Sequence, residues 1–586
     1  MNKVAKITSF MSYHRLNLLR FWTLFLLLNG LLQLPHFLSL LFRSEHVALW
    51  RTLLFLSVEW LWLVSLWAWY RPIRLLRLRS ILISFYLFAL IFNVYDVAIT
   101  TVYDEAANLY NDLTLFQTGI SGLVRNIGIS VYIYVLLIAA CLVVGILIAY
   151  LIRHLLKSAT SLKTPSKFLL LGLCAYSLLI VYTFVLADKR APFLAQSLTT
   201  KVGRNLHRSI ITYQQRTLLR RAEAHLHHAY DYSGEPWIET PDLYIIVIES
   251  YGDALLQWDE FRPKYTNLLQ ELDQELVSNE WHSASIRSEA PIRGGRSWLA
   301  YTSLLFGLRI NSDAHYQTLK SHFQSADYPH LINTFRTQGY HSWRLSPLTV
   351  TAQDDTILAT TKKLNNYDHW LFLNDMEPFV GPRSGWSLAP PDQYSLWFLR
   401  EQAERQSPDT PKFHFYITHN SHVPWVEPPT VAANWRTLNT RSTPVAEDTY
   451  RQTKDLYLAN IEYQLRMLSH FVINGPDDAI YIIIGDHQPP LRAFTDYRGS
   501  GTPLHIIAKK SELITRFVDT GFINGLVPSM SQPAIFHEGF YSLFMQQWLA
   551  TYAPSTAALP PLCPHGILFT SDNASDPCTI DSASHD

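Results

Sequence analysis

The 586-residue sequence predicts a multi-pass α-helical membrane domain followed by an α/β domain with a mainly parallel central sheet. Two observations carry this. Five long apolar stretches are confined to the first 187 residues. Beyond residue 240, apolar strand-like runs alternate with helix-like segments, as a parallel sheet with crossover helices requires. A third observation points to where chemistry sits: three of those runs end in metal-ligating residue types.

The apolar stretches cover roughly 21–42, 48–70, 79–100, 128–152 and 167–187. Each is near the ~20 residues that cross a hydrocarbon core, and a succession of them with little polar sequence between is a poor match to buried soluble helices. Basic residues set the expected orientation. Lys3, Lys6, Arg15 and Arg20 precede the first span, Arg71, Arg74, Arg77 and Arg79 follow the second, and Arg153, Lys157, Lys163 and Lys167 follow the fourth. The other loops are poorer, with Arg43 and Arg51 in one and Arg125 in the other. The richer set faces the cytoplasm, so an odd number of spans places everything after residue 187 outside it. Glu59, Asn93 and Asp96 lie within spans. Charge in lipid is costly, and a structural interhelical hydrogen bond is the preferred reading for these three.

Residues 188–240 read as a linker, with a partly amphipathic helix over Asn205–Tyr232 that lies on the membrane surface or packs on the following domain. Residues 241–552 form the expected α/β domain, with helix-like segments at Tyr265–Ser278, Tyr328–Gln338 and Tyr450–Ile473, a strand at Gly501–Ala508 and a closing helix at His537–Leu549. The tail, 553–586, is rich in Ser, Pro and Ala and is expected to be loosely ordered. Cys141 and Cys174 fall in membrane spans; Cys563 and Cys578 fall in the tail, where an oxidising compartment allows a disulfide. Formal net charge is zero, so no global field invites nucleic acid.

The run Ala479–Gly485 is dense in β-branched residues and ends at Asp486-His487, with Pro489-Pro490 stopping the strand. Leu243–Ile248 ends at Glu249, and Phe413–Thr418 ends at His419 and His422. Ligands of open α/β sheets bind outside the carboxyl ends of strands. Glu249, Asp486 and His487 are therefore expected on one rim as metal ligands, with His419 or His422 beside them. Gly294-Gly295-Arg296-Ser297 turns into a plausible helix, with Ser297 at or near its N-cap. Serine there has a purely structural use, but the same place offers free N–H groups that suit a phosphate.

In order, Ile-Glu249 after a strand, Gly-Arg-Ser297 before a helix, His422-Val-Pro and Gly-Asp486-His487 resemble the lipoteichoic-acid-synthase-like, phosphoglycerol transferase branch of the alkaline phosphatase/sulfatase superfamily. That family shares the five-span, linker and extracytoplasmic-domain layout. The resemblance implies a sulfatase-like catalytic domain that binds one divalent metal (manganese, zinc or magnesium) through Glu249, Ser297, Asp486 and His487. It implies Ser297 as nucleophile, where the family commonly has threonine, His422 as a catalytic and phosphate-contacting residue, and Arg344 as a headgroup-contacting residue. The implied partners are a phospholipid donor in the membrane and a glycan or lipid acceptor, and the implied location is the bacterial inner (cytoplasmic) membrane, with the catalytic domain on the periplasmic side. The implied activity moves a phospho-headgroup, phosphoglycerol first and phosphoethanolamine second, through a phosphoseryl intermediate. A phosphodiester hydrolase and a non-catalytic membrane scaffold are the alternatives. Sulfate-ester hydrolysis is rejected, because Ser297-Trp-Leu-Ala-Tyr301 lacks the Pro and Arg of the sulfatase stretch.

Overall fold

The structure is a computed structural model. It describes residues 2–42, 56–70, 76–103, 106–114, 131–186, 195–221, 230, 232, 234, 236–322, 328–350, 352–376, 378–383, 388–440, 454–490, 499–554, 559, 561–570 and 578–581. The chain divides into two compact units, Met1–Ile210 and Ile211–Asp586.

In the first unit, helices Asn2–Phe42, Val58–Tyr70, Leu76–Val102, Val131–Thr160 and Thr164–Leu186 fall in the five expected stretches. Among the described residues three are long and apolar enough to cross a membrane, over His14–Ser39, Arg77–Thr101 and Val135–Thr160. Val58–Tyr70 has 13 residues, about 20 Å at ~1.5 Å per residue, and residues 48–55 of the second expected stretch lie outside the described ones. Thr164–Leu179 is a shorter apolar helix. Arg43, Arg51, Arg71, Arg74 and Arg125 also lie outside the described residues. Large apolar side chains face outward, with Ile146 70% and Leu136 67% exposed, which suits a lipid solvent.

The polar residues of the spans find protein partners, as the structural reading expects. Glu59 accepts from Ser197 Oγ at 2.7 Å and from the backbone N–H groups of Leu198 and Thr199 at 3.0 Å each, so it caps the helix Leu198–Arg221. Asp96 pairs with Lys201 at 3.2 Å, and Asn93 Oδ1 accepts from the same ammonium at 3.2 Å. The helix starts earlier than the amphipathic pattern suggests, and its first half is tied to the bundle by these bonds. Residues 222–229 of the expected linker helix lie outside the described ones.

In the second unit the sheet is built from β1 (Leu243–Ile248), β2 (His282–Glu289), β3 (His341–Ser346), β4 (His369–Phe372), β5 (Lys412–Ile417), β6 (Ile480–Gly485), β7 (Gly501–Ala508), β8 (Ile523–Asn524) and β9 (Ile535–Phe536). Their order is β8-β2-β7-β6-β1-β5-β3-β4, with β9 also paired to β2. The five strands β6, β1, β5, β3 and β4 are parallel, and β7 runs antiparallel between β6 and β2. Both faces are covered. Ile245, Val247, Phe415 and Ile482 pack on one side with helices Ser297–Phe306, Leu331–Thr337 and His537–Tyr552. Tyr244, Ile246, Tyr416 and Ile483 pack on the other with Arg262–Ser278, Asp392–Gln406 and Lys454–Ile473. Burial on two faces is why β1 and β6 read as unbroken apolar runs.

Strands β2 and β3 carry no such run. Their serines are buried and partnered within the fold: Ser285 Oγ bonds His505 Nδ1 at 2.7 Å, and Ser342 Oγ donates to Asp368 at 2.7 Å. The tail is less loose than its composition suggests. Cys563 and Cys578 form a disulfide, Cys563 N donates to Ser542 Oγ at 2.9 Å, and Ile567 N donates to Gly307 O at 3.0 Å. Residues 571–577 and 582–586 of the tail lie outside the described ones.

Candidate active site

The parallel register decides which residues meet. Val247 lies opposite both Ile417 and Ile484, and Ile248 lies opposite Gly485. The residues just past these positions, Glu249, Thr418 and Asp486, therefore emerge together at one rim. Thr418 Oγ1 accepts from Glu249 N at 3.1 Å, and Asp486 Oδ1 accepts from Ser250 N at 2.8 Å, locking the three strand ends together. Asp486 Oδ1 also accepts from His487 N at 2.7 Å.

Ser297 comes from a different direction. Gly295 and Arg296 both adopt left-handed backbone, with φ of 62° and 59°. Glycine tolerates this, whereas a non-glycine residue held there stores strain, a recurrent feature of functional sites. Arg296 is held by Asp313, 3.3 Å from its Nη1, with both side chains buried. Ser297 is then the first helical residue rather than the cap. Its hydroxyl donates to Glu249 Oε2 at 2.8 Å and lies 3.3 Å from His487 Nε2. The capping role expected from sequence is not the one its hydroxyl fills.

The donor set fits a divalent cation. Glu249, Asp486 and His487 are buried and offer ligand atoms within 4.8 Å of one another. Asp486 Oδ2 has no hydrogen-bond donor, and an orphaned buried carboxylate oxygen needs a positive partner. His487 Nδ1 donates to Gln488 O at 2.8 Å, which leaves the Nε2 lone pair directed at Asp486 Oδ2 (3.3 Å) and Glu249 Oε1 (3.5 Å). Three electron-rich atoms turned toward one point are the arrangement a metal stabilises. In the bare protein, burial raises Asp486 well above the carboxylate range, and the adjacent Glu249 charge adds to this. Burial acts the same way on Glu249, but His487 and then His422 outweigh it and hold Glu249 low.

His419 and His422 are carried on the loop after β5. The buried carboxylate of Asp392, absent from the sequence reading, organises it: it accepts from His419 N (2.8 Å), Asn420 N (2.7 Å) and Tyr416 OH (2.7 Å), while Asn420 Oδ1 accepts from Asp392 N (2.8 Å). His422 Nδ1 donates to Val423 O. Burial lowers His419, so it stays neutral. Arg344 is placed differently from a rim residue. It is mid-strand, in register with Phe415, and its guanidinium packs over Trp370 at 4.2 Å, with Nη2 3.3 Å from Tyr301 OH. Tyr301 is one turn beyond Ser297, so Arg344 sits behind the helix that Ser297 begins.

Other residues missed in the sequence position Asp486 and His487. Gln488 Nε2 donates to Asp253 Oδ1 at 3.0 Å and to Gly501 O, which fixes the carbonyl that orients His487. Arg287 pairs with Asp253 at 3.2 Å. Gly252 leaves room for Gln488, since a Cβ there would lie 2.0 Å from Oε1. His537 Nε2 donates to Gly485 O at 3.1 Å, directly before Asp486. Only the Gln following Asp-His was a visible sequence signal.

No family model and no curated protein matches the chain. Several solved structures are similar to it. One is a protein of the alkaline phosphatase superfamily from Vibrio parahaemolyticus, at 15% identity over 56% of this chain and 73% of that one, with a TM-score of 0.33. Another is the lipoteichoic acid synthase LtaP from Listeria monocytogenes, at 12% identity over 58% and 80%, with a TM-score of 0.35. A third is the Streptococcus pyogenes phosphoglycerol transferase GacH in complex with sn-glycerol-1-phosphate, at 14% identity over 58% and 81%, with a TM-score of 0.33. At these scores function has to be read from the site itself.

Proposed function

We propose that the second unit is a metal-dependent phosphotransferase that moves a phospho-headgroup from a membrane phospholipid to an acceptor outside the cytoplasm, with Ser297 as nucleophile. The observation that carries this reading is the Ser297 hydroxyl, 2.8 Å from Glu249 and 3.3 Å from His487 at the head of a helix. Glu249, Ser297, Asp486 and His487 hold the divalent cation, and two carboxylates, an imidazole and a hydroxyl suit manganese or zinc. When bound, the cation supplies Lewis acidity and screens the carboxylate charge.

The chain's own residues do the rest. Glu249 Oε2 receives the Ser297 proton as Oγ attacks phosphorus. The Oγ–P bond forms, the bond from phosphorus to the diacylglycerol oxygen breaks, and His422 gives that oxygen a proton. An acceptor hydroxyl then attacks the phosphoserine and passes its proton to His422, while the phosphorus–Oγ bond breaks and Ser297 takes its proton back from Glu249. Arg344 acts as a buried positive charge behind the phosphate position, supporting an anionic substrate through the field rather than by contact. Phosphoglycerol is the first choice of headgroup and phosphoethanolamine the second. The test supplies vesicles of phosphatidylglycerol or phosphatidylethanolamine, each labelled in the headgroup, to purified protein with manganese or zinc. Label should appear on Ser297 from phosphatidylglycerol. Water-only release without a phosphoseryl species would favour the hydrolase.

A further inference from the structure

The first unit contains a cavity of about 190 Å³ where helix Asn2–Phe42 meets the turn between Val131–Thr160 and Thr164–Leu186. Its polar wall is His14, Arg15, Asn17, Lys163 and Ser166. Its apolar side is Leu18 and Leu162. Asn17 Nδ2 donates to Ser158 O at 3.2 Å and closes the floor. The candidate spans begin at His14 and end at Thr160, so this cavity lies at a membrane–water boundary.

We infer that this cavity binds a phosphate group, presented by an anionic membrane lipid or as free phosphate. The reasoning is electrostatic. Residues 2–42 and 131–186 contain no Asp or Glu at all, so Arg15 and Lys163 have no countercharge on the three helices that form the pocket. Arg20 on the same rim donates instead to His154 Nδ1, at 2.6 Å. A basic bias alone is explained by membrane orientation, but orientation does not require a cavity between the charges. The pocket also takes in Ser166, in the first turn of the 23-residue helix Thr164–Leu186, where backbone N–H groups and the helix dipole favour an anion. The volume is below the ~300–1,000 Å³ of ordinary small-molecule sites, which fits a phosphate with its ester oxygens. Leu18 and Leu162 border it on the apolar side, as acyl chains require. Basic pockets between spans are a recognised form of lipid headgroup site.

The test is native mass spectrometry of the full chain in detergent with an equimolar mixture of phosphatidic acid and phosphatidylcholine. Phosphatidic acid has no headgroup alcohol to transfer, so this readout is independent of the proposed catalysis. The wild type should retain phosphatidic acid at least tenfold over phosphatidylcholine. The double variant Arg15→Gln, Lys163→Gln should fall to within twofold of parity, while Arg15→Lys, Lys163→Arg should keep the preference and show that a folded pocket remains. Lys157→Gln, exposed on the same rim but outside the cavity, should change nothing. A separate arm titrates inorganic phosphate without lipid. Thermal protection there that is lost in the double glutamine variant, with no lipid preference, assigns the site to free phosphate. Equal retention of both lipids with no phosphate protection overturns the inference, as does a preference that survives the double glutamine variant or is erased equally by Lys157→Gln.

Discussion

Replacing Ser297 with alanine removes the hydroxyl that donates to Glu249 and leaves the other three donors in place. Headgroup transfer should fall by roughly 10⁴–10⁶, as when a covalent nucleophile is deleted, while metal content by elemental analysis stays near one per chain. A folded Ser297→Ala protein that still transfers the headgroup at near-normal rate would exclude the mechanism. Ser297→Thr should keep part of the activity if the pocket accepts a methyl group. Asp392 gives a second test at this scale. Asp392→Asn keeps the shape but weakens the acceptor that fixes His419 N and Asn420 N. Losing about 1–2 kcal/mol of positioning there predicts a drop in kcat of about tenfold or more. Metal affinity should not change, because none of the proposed ligands lies on the loop after β5 that Asp392 organises. A fall in metal affinity equal to the fall in rate would show general disruption instead.

At the scale of elements, the cross-link from Cys563 to Cys578 closes a 15-residue separation beside the closing helix. In the chain-entropy account such a loop contributes about 3 kcal/mol. The double variant Cys563→Ser, Cys578→Ser should lower the denaturation midpoint accordingly and leave turnover intact, because the bridge follows all the site motifs in the chain and neither cysteine bonds Glu249, Ser297, Asp486 or His487. Peptide mapping without reductant should recover the two cysteines as one linked pair. The turn before Ser297 works the opposite way. Its two left-handed residues are held open by the Arg296–Asp313 pair, so local strain serves to aim a hydroxyl rather than to stabilise the helix.

At the scale of the molecule, buried histidines make the second unit sensitive to acid. Burial pushes His330 and His505 down to about 3 and His315 down to about 4. The unfolded chain takes up protons below about 6.5 at these positions while the folded chain does not. Their stability contribution is therefore complete above pH 6.5 and is lost as pH falls toward 4. Each group contributes roughly 1.4 kcal/mol per pH unit, so the three together give about 4. Hydrogen-exchange protection of the central strands should drop correspondingly between pH 7.5 and 5.5. His330 Nδ1 accepts from Asn333 N at the start of its helix, and asparagine is a good cap. His537 and His414 are pushed down by burial in the same way, so His330→Asn should remove one histidine's share of the pH slope, roughly 1.4 kcal/mol per pH unit, without unfolding the helix; an unchanged slope would contradict the assignment. Orientation is tested separately. Protease added to spheroplasts should digest residues beyond 188, and protection equal to that of a cytoplasmic control would overturn the proposed location.

The sequence by itself determined the class of both halves and most of the rim. The spans are legible because lipid demands apolar length, and β1, β5 and β6 because burial on two faces demands unbroken apolar runs. A carboxylate or histidine at the end of such a run is conspicuous, which is how Glu249, Asp486, His487 and His422 could be read. Other features depend on contacts between residues far apart in the chain. Strands β2 and β3 are buried through partnered serines, which no hydrophobic pattern records. Arg344 matched a motif, yet its register with Phe415 seats it behind the helix of Ser297. Asp392 and Gln488 take their roles from bonds to residues distant along the chain, such as Asp392 to His419 and Gln488 to Asp253. From its own stretch Ser297 read first as a cap, and only the ordered set of motifs turned the reading toward a nucleophile. Only the meeting of its helix with the ends of β1 and β6 gave its hydroxyl a carboxylate to donate to, because register between strands, and not spacing along the chain, decides which atoms converge.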